Sequence, residues 1–280
     1  MKIRITTDST ADLPGSITEQ YGIGVAPLYV LMGGKTYRDG VDIFGADVIR
    51  HVQAGGELCT TSAPNVQDYR DLFRESLKDA DAVVHISLGS GFSSSWQHAC
   101  MAAEETGRVF VADSRNLSSG QGLQVLEAAR MAEKGMEPEA IARQVEQARD
   151  KVRLTLVLER LDYMARGGRC STAAALGANL MHIRPGIAVI DNGMTVIEKL
   201  RGGYDRCLKK YAETHLAGMK DPSTETVFVT HAPMDAGYGE IVKDAVTADG
   251  RFKEVLESDA SCTIVCHCGP NTIGIIYREN

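Results

Sequence analysis

The sequence predicts an α/β protein with a parallel, Rossmann-like sheet in an N-terminal domain and a smaller C-terminal α+β domain with a mixed sheet. Three observations support this class. In the first half, short apolar runs alternate with helical segments, an order that covers a parallel sheet on both faces. In the second half, hairpin signals are mixed with helices, which indicates partly antiparallel pairing. A chain of 280 residues is also long enough for two domains.

The first half begins with an apolar strand, Ile3–Thr6, and capping and turn residues follow it. Paired glycines at 33 and 34 predict a hairpin turn. Asn65 or Ser62 is suited to cap the first long helix. The other predicted elements are a hairpin of Val25–Met32 and Lys35–Tyr37, strands Ala82–Ile86 and Val109–Ala112, and helices Val66–Leu77, Ser94–Thr106, Gly122–Lys134 and Pro138–Val152.

The second half begins near residue 153, so we expect one domain over 1–153 and another over 154–280. The segment Asp191-Asn192-Gly193 is a strong hairpin signal between Gly186–Ile190 and Met194–Lys199. The other predicted elements are strands Thr155–Leu158, Thr226–Thr230, Thr263–Cys266 and Ile273–Tyr277, and helices Leu161–Arg166, Ala173–Leu180, Tyr204–Met219 and Ala236–Val246.

The composition argues against several classes of protein. A net charge of −7 and a single Trp make this chain a poor nucleic-acid binder. No apolar run approaches the length of a membrane span, and the N-terminal residues do not resemble a signal peptide. Seven cysteines, an odd number, without an export signal favour reduced thiols and a cytoplasmic location.

Two hydroxyl-rich segments, Thr60–Asn65 and Gly91–Ser95, are predicted to open helices, and the second follows a strand. Helix N-termini offer unpaired N–H groups and a partial positive charge, and hydroxyl side chains add neutral donors. Ligands of open α/β sheets bind beyond the carboxyl ends of strands. These segments therefore predict a site for a small acidic head group, although the serines are equally suited to serve only as caps.

Arg169 follows the paired glycines Gly167-Gly168, which end a short helix and allow a sharp turn. An arginine here is placed either to neutralise a bound acid or to tie two helices together.

The cluster Cys262, Cys266, His267 and Cys268 invites a zinc interpretation. On the predicted strand, however, the three cysteines share one face and His267 points to the other, which fits a tetrahedral site poorly. Buried cysteines acting as small apolar groups are the better account, so we expect no metal. A serine hydrolase with Ser93 as nucleophile, His267 as base and an acid such as Asp113 is the enzymatic alternative, but G-x-S-x-G is absent from the corner.

Five ordered segments resemble the DegV family along nearly the whole chain. They are the opening Ile5–Pro14, Thr60–Pro64 (T-T-S-x-P), Ser93–Gln97 (similar to S-G-T-Y-Q), Leu161–Ser171 (similar to L-x-Y-L…G-G-R-I-S), and His267–Pro270 with Gly274 (similar to H-T-G-P…G). Ser94 and Ser95 stand where the family has Gly and Thr. Cys266, Cys268 and Asn271 replace Thr, Thr and Gly.

The resemblance implies a two-domain protein that holds one long-chain fatty acid between its domains and needs no cofactor. In bacterial members the acid is presented to a separate fatty acid kinase subunit, which phosphorylates its carboxylate with ATP for phospholipid synthesis, so the chain itself is expected to be non-catalytic. Carried over by position, Thr61, Ser62, Ser93 and Ser94 contact the carboxylate. Thr60, Arg169 and His267 form the supporting polar network.

Candidate apolar walls and a docking face complete the predictions. The wall candidates are Phe92, Ala173–Leu176, Leu180, Ile183 and Val189, which core packing explains equally well. Basic residues cluster between Arg160 and Lys210, and such a face could meet an acidic partner or be merely solvated. They include Arg166, Arg184, Lys199, Arg201, Arg206, Lys209 and Lys210.

Overall fold

A computed structural model describes residues 1–174 and 183–280. The elements of residues 1–151 are β1 (Ile3–Asp8), α1 (Gly15–Tyr21), β2 (Gly24–Ala26), β3 (Tyr29–Met32), β4 (Lys35–Arg38), α2 (Gly45–Gln53), β5 (Thr60–Ser62), α3 (Val66–Ser76), β6 (Ala82–Ser87), α4 (Ser95–Thr106), β7 (Val109–Asp113), α5 (Ser118–Glu133) and α6 (Pro138–Ala148). Short 3₁₀ turns cover Ser9–Ala11 and Arg149–Lys151.

The later elements begin where the first half ends. They are β8 (Val152–Val157), α7 (Asp162–Gly167), α8 (Ser171–Ala174), β9 (Ile183–Ile190), β10 (Gly193–Arg201), α9 (Tyr204–Gly218), β11 (Thr226–His231), α10 (Tyr238–Asp249), β12 (Glu254–Asp259), α11 (Cys262–Cys268) and β13 (Ile273–Arg278). Most of the helix predicted over Ala173–Leu180 lies outside the described residues. Within the described part of the chain, no helix combines the length and apolar character needed to cross a membrane.

The predicted fold class is confirmed by the pairing of the strands. A four-stranded sheet of order β2-β1-β6-β7 is entirely parallel. A six-stranded sheet of order β10-β9-β8-β13-β11-β12 is mixed, because β11 and β12 run parallel while the other neighbours are antiparallel. A small antiparallel sheet, β4-β3-β5, carries Thr60–Ser62 at its edge.

Helix α5 packs against strands of both large sheets, and its first half is buried on all sides. Gly122 is required at this crossing, since a Cβ there would lie 2.3 Å from the carbonyl oxygen of Ala11. One continuous apolar cluster includes residues of both halves. The division of the chain near residue 153 stays a prediction.

A buried polar seam runs along α5 and joins the sheets. We define it by eight buried residues that hydrogen-bond across this contact: Thr7, Thr10, Asp12, Ser118, Ser119, Gln121, Thr230 and Ser258. Asp12 accepts from the Ser118 hydroxyl at 2.6 Å and from the backbone N–H of Ser261 at 2.9 Å. Every one of these groups has a protein partner, so the seam fixes how the two sheets meet.

The hairpin predicted at Asp191-Asn192-Gly193 is confirmed. Both turn residues have positive φ, 49° and 60°, as a type I′ turn requires. The tip contacts the loop after β6, because the Asn192 amide donates to the Ser90 hydroxyl at 2.9 Å. Gly91 permits this approach, since a Cβ there would lie 2.0 Å from the Asn192 carbonyl oxygen.

The strand predicted over Thr263–Cys266 is wrong, because these residues lie in helix α11. The run of β-branched residues favours a strand locally, but the tertiary structure caps a helix instead. The carboxylate of Asp39 accepts from the backbone N–H groups of Cys262 and Thr263 at 2.8 and 3.0 Å, and Ser261 is the N-cap. The argument from strand faces therefore does not apply to the cysteine cluster. Elements α1, α2 and β12 were not predicted either.

Candidate functional site

A partly open cavity of about 290 Å³ draws its walls from both halves of the chain. We call it the main cavity because the predicted head-group residues line it; a cleft beside Asp8, Asp12 and Asp39 is larger, at about 610 Å³. Its apolar lining comes mostly from loop and helix residues near the sheets: Leu28, Leu88, Phe92, Leu117, Leu156, Met164, Met194, Ile264 and Cys268. Its polar lining comprises Thr10, Thr61, Ser62, Ser93, Ser94, Arg169, Thr263 and His267.

Two smaller cavities adjoin the main cavity, one at its polar end and one at its apolar end. A cavity of about 80 Å³, which we call the rear cavity, shares Thr61, Arg169 and His267 with it. Another of about 30 Å³ shares Leu117, Leu156, Ile264 and Cys268 with it. The main cavity therefore extends from a polar wall to an apolar one.

The structure brings four predicted head-group residues to this cavity: Thr61, Ser62, Ser93 and Ser94. We call them the hydroxyl wall. Thr60–Ser62 form strand β5, paired with β3, and do not open a helix as predicted. Asn65, rather than Ser62, caps α3 by accepting from the N–H groups of Gln67 and Asp68. The four predicted side chains therefore line one cavity although the local structure predicted for Thr60–Ser62 is wrong, and their contact with a carboxylate stays a prediction.

The second hydroxyl segment does open a helix. The Ser93 hydroxyl accepts from the N–H of Ser95 at 3.2 Å and lies 2.9 Å from the Ser95 hydroxyl. Ser94 occupies the N-cap position of α4, but its side chain makes no capping bond. Among the described residues, the hydroxyls of Ser62 and Ser94 have no hydrogen-bond partner, so these donors are available to a ligand.

His267 and Arg169 line both the main cavity and the rear cavity, next to the hydroxyl wall, and their supporting role stays a prediction. The imidazole Nε2 of His267 lies 2.9 Å from the Thr61 hydroxyl. Burial, with the nearby charge of Arg169, lowers the pKa of His267 to about 4, so the ring is neutral at neutral pH. The Arg169 guanidinium donates to the carbonyl of Gly167 at 2.8 Å, and a Cβ on Gly167 would lie 2.3 Å from Nδ1 of His267.

Thr60 was predicted to join the polar network, but its hydroxyl makes no hydrogen bond with the described residues there. Its exposed side chain lines the rear cavity but makes no hydrogen bond to another described residue. Its membership of the polar network stays a prediction.

The geometry does not favour hydrolysis. Ser93 pairs with Ser95, whereas His267 pairs with Thr61, and Asp113 accepts from Ser90 and from the backbone of Arg115. A histidine with a pKa near 4 is also a weak general base at neutral pH. Within the described residues, no three histidine, cysteine or acidic side chains are grouped so as to hold a metal ion.

Sequence reasoning found only part of the apolar lining. Phe92 lines the main cavity, Ile183 and Val189 do not, and Leu176 and Leu180 lie outside the described residues. Leu88 and Leu117 were missed, although both follow the carboxyl ends of parallel strands, where ligands are expected. Met164, Met194 and Ile264 carry no such signal, because only the tertiary fold brings them to the cavity.

The fold and this site define a class of α/β proteins in which an internal, mostly apolar cavity ends at a wall of neutral hydroxyl groups. The chain matches the family model described as "Uncharacterised protein, DegV family" over residues 2–280. It is 33% identical over 284 residues to a DegV domain-containing protein of Caldanaerobacter subterraneus subsp. tengcongensis, with 99% of both chains covered. The chain therefore belongs to the DegV family, as the sequence motifs indicated.

Two solved structures are also similar. A DegV family protein from Thermus thermophilus, described with fatty acid binding, gives a TM-score of 0.89 at 28% identity and 100% coverage of both chains. DegV from Bacillus subtilis, described as a fatty acid binding protein, gives 0.82 at 27% identity, again with 100% coverage of both chains.

Proposed function

We propose that this protein binds one long-chain fatty acid, with the carboxylate at the hydroxyl wall and the acyl chain in the main cavity. The observation that carries the proposal is the main cavity itself, which joins unpartnered hydroxyl donors to a continuous apolar lining. Fatty acid binding by the two similar proteins from Thermus thermophilus and Bacillus subtilis supports it.

The two parts of the cavity contribute different amounts of free energy. Burying about fifteen methylenes is worth roughly 12 kcal/mol before ordering costs, at about 0.8 kcal/mol for each CH₂. Each hydrogen bond to a carboxylate contributes roughly 1.5–3 kcal/mol. The acyl chain therefore sets most of the affinity, and Thr61, Ser62, Ser93 and Ser94 set its orientation.

The neutral donors also suit a carboxylate that must react later. His267 carries no charge at neutral pH and is positioned to orient the Thr61 hydroxyl, because the two share a hydrogen bond. The only cationic side chain in the described lining of the main cavity is Arg169, which is exposed and bonded to Gly167. This arrangement holds an anion without locking it in a bidentate arginine pair.

We further propose that the chain is non-catalytic and presents the acid to a separate kinase subunit that forms the acyl phosphate. Five predicted docking residues support a contact surface, since they are exposed and none forms an ion pair with another described residue: Lys199, Arg201, Arg206, Lys209 and Lys210. Arg184 does not belong to this surface. It is half-buried, and its guanidinium donates to the carbonyl of Glu159 at 2.7 Å.

The first experiment extracts purified protein with organic solvent and identifies the lipid by mass spectrometry. We expect a fatty acid in about equal molar amount. Ile264→Trp fills the main cavity and should lower occupancy more than tenfold, whereas Ile197→Trp, at an exposed position on β10, should leave it unchanged. Absence of a fatty acid from the extract, together with no uptake of added palmitic acid, would overturn the proposal.

A second experiment tests presentation to the kinase. Arg201→Glu combined with Arg206→Glu should abolish acyl phosphate formation by an added bacterial fatty acid kinase subunit while leaving acid binding intact. Lys134→Glu combined with Arg143→Glu, an equal change in charge at exposed positions elsewhere, is the control. Equal turnover in the two double variants would remove the docking surface. Labelling of Ser93 by a fluorophosphonate would instead favour the hydrolase.

A further inference from the structure

Two cysteine thiols lie directly behind the hydroxyl wall. Cys59 precedes strand β5, and Cys266 precedes His267 in helix α11; both are buried, at 9% and 4% exposure. Side chains two residues apart in an extended chain share a side, so Cys59 faces the same way as Thr61. Because Thr61 reaches His267 at 2.9 Å, this side faces α11.

The two thiols also share a space. Both line the rear cavity of about 80 Å³, together with Tyr163, Arg166 and Arg169. Interaction between the two neighbouring thiols lowers the pKa of Cys59, and the same interaction together with burial raises that of Cys266. Cys59 is therefore the better nucleophile of the pair, and Cys266 is placed to resolve it.

We propose that Cys59 and Cys266 form a hydroperoxide-sensitive dithiol whose oxidation to a disulfide alters the adjoining head-group site. The Cys59 thiolate attacks the hydroperoxide and becomes a sulfenic acid, releasing water from hydrogen peroxide. The Cys266 thiol then attacks the sulfenic sulfur and displaces a second water. Overall, two thiols and one hydrogen peroxide give one disulfide and two waters, so the peroxide is reduced and both sulfurs are oxidised.

The pKa shifts of three other cysteines favour reaction at this pair. Burial raises the pKa of Cys100 to about 11 and that of Cys268 to about 12, so both stay protonated thiols at neutral pH. Burial and the Asp39 carboxylate also raise the pKa of Cys262. A protonated thiol is a poor nucleophile toward peroxide, so the first step falls to Cys59. Cys266, whose pKa is also raised, does not attack peroxide and reacts only in the second step, with the sulfenic sulfur formed beside it.

The disulfide would act on the site through geometry. Its S–S bond of about 2.05 Å is far shorter than the van der Waals contact of two separate sulfur atoms, so the start of β5 and α11 must move together. Thr61 and His267 lie on these same two elements, within two residues of the sulfurs. We expect their hydrogen bond to be displaced, and with it the Thr61 hydroxyl. This coupling rests on the proposed fatty acid site, whereas the disulfide itself does not.

The test treats the full-length, reduced protein with hydrogen peroxide and maps disulfide-linked peptides by mass spectrometry. We expect a Cys59–Cys266 cross-link that dithiothreitol reverses, absent from Cys59→Ser and Cys266→Ser and retained in Cys100→Ser. Oxidation should speed palmitic acid release about tenfold in wild type and leave release unchanged in the two serine variants. Circular dichroism verifies that the variants are folded.

The outcomes separate the claims. Absence of the cross-linked peptide, or a cross-link joining other cysteines, overturns the dithiol. A Cys59–Cys266 cross-link with unchanged release of palmitic acid overturns its coupling to the site. Failure of the reduced protein to bind palmitic acid overturns the proposed function, and peptide mapping then still decides the dithiol.

Discussion

Two sets of hydroxyl groups in this molecule have the same chemistry and opposite surroundings. In the polar seam, the Ser119 hydroxyl bonds the hydroxyls of Thr230 and Ser258, and all three side chains are buried. In the hydroxyl wall, Ser62 and Ser94 are exposed and have no side-chain hydrogen bond to other described residues. The seam has used its hydrogen-bonding capacity to hold the fold. In the wall, Thr61 and Ser93 are partly engaged with His267 and Ser95, whereas Ser62 and Ser94 are left unpaired among the described residues.

This difference shows that residue type alone does not identify a binding hydroxyl. Serine and threonine serve equally well as structural ties and as ligand donors. What distinguishes the wall is that some of its hydroxyls lie unpaired beside a cavity, a property of the tertiary structure. Matched substitutions in the two sets test this distinction, because those in the seam should change stability and those in the wall should change binding.

The largest effect is expected from Ser119→Val. It leaves the buried hydroxyls of Thr230 and Ser258 with fewer partners, so we expect the free energy of unfolding to fall by about 3 kcal/mol. Urea denaturation measures it. Ser94→Val is the matched control, with a change within about 0.5 kcal/mol. Equal losses in the two variants would contradict the distinction.

Asp12 gives the seam a pH dependence. Burial raises its pKa to about 7, so the folded protein holds a proton that the unfolded chain releases near pH 4. Folding is therefore favoured at acidic pH, and this contribution is lost as pH rises toward 7. Wild type should gain about 2 kcal/mol more stability than Asp12→Asn between pH 7 and pH 5. Parallel stability curves for the two proteins would refute the role of Asp12.

Ser93→Ala tests the hydroxyl wall. Loss of one donor to the carboxylate should weaken fatty acid binding about tenfold, or about 1.4 kcal/mol. The melting temperature of the ligand-free protein should not change, because Ser93 bonds only its neighbour Ser95 among the described residues. Titration with a fluorescent fatty acid measures the affinity. A stability loss without an affinity loss would move Ser93 from the wall to the structural set.

The smallest effect is expected from Thr60→Ala. Thr60 is exposed, and its hydroxyl has no partner among the described residues, so binding should change less than twofold. Thr61→Val, its neighbour, should instead weaken binding about tenfold by removing the hydroxyl paired with His267. The same titration compares the two. A larger loss in Thr60→Ala would place it in the polar network after all.

The features predicted from the sequence are those with local causes. The Asp191-Asn192 turn was predictable because both residues must adopt positive φ in a two-residue hairpin. The motifs around Thr61, Ser93 and His267 indicated one shared site, and the structure places all three at one cavity.

The features that were missed depend on distant partners. Helix α11 begins where its first backbone N–H groups donate hydrogen bonds to the carboxylate of Asp39, more than two hundred residues earlier. The local sequence gives no sign of this contact. The seam likewise pairs Ser119 with Ser258, far apart in the chain. Such contacts are decided by tertiary packing, which overrides strand propensity in a segment such as Thr263–Cys266.

The position of the main cavity has a consequence for the life of the protein. Its lining comes from both halves of the chain, so without a ligand the residues on its two sides lack van der Waals contacts with each other. A ligand that fills the cavity supplies these contacts. Because it binds the folded state, it raises the free energy of unfolding by mass action and lowers the fraction of protein that is exposed to proteases. The cellular amount of the protein would then rise and fall with the supply of its ligand, without a dedicated sensor.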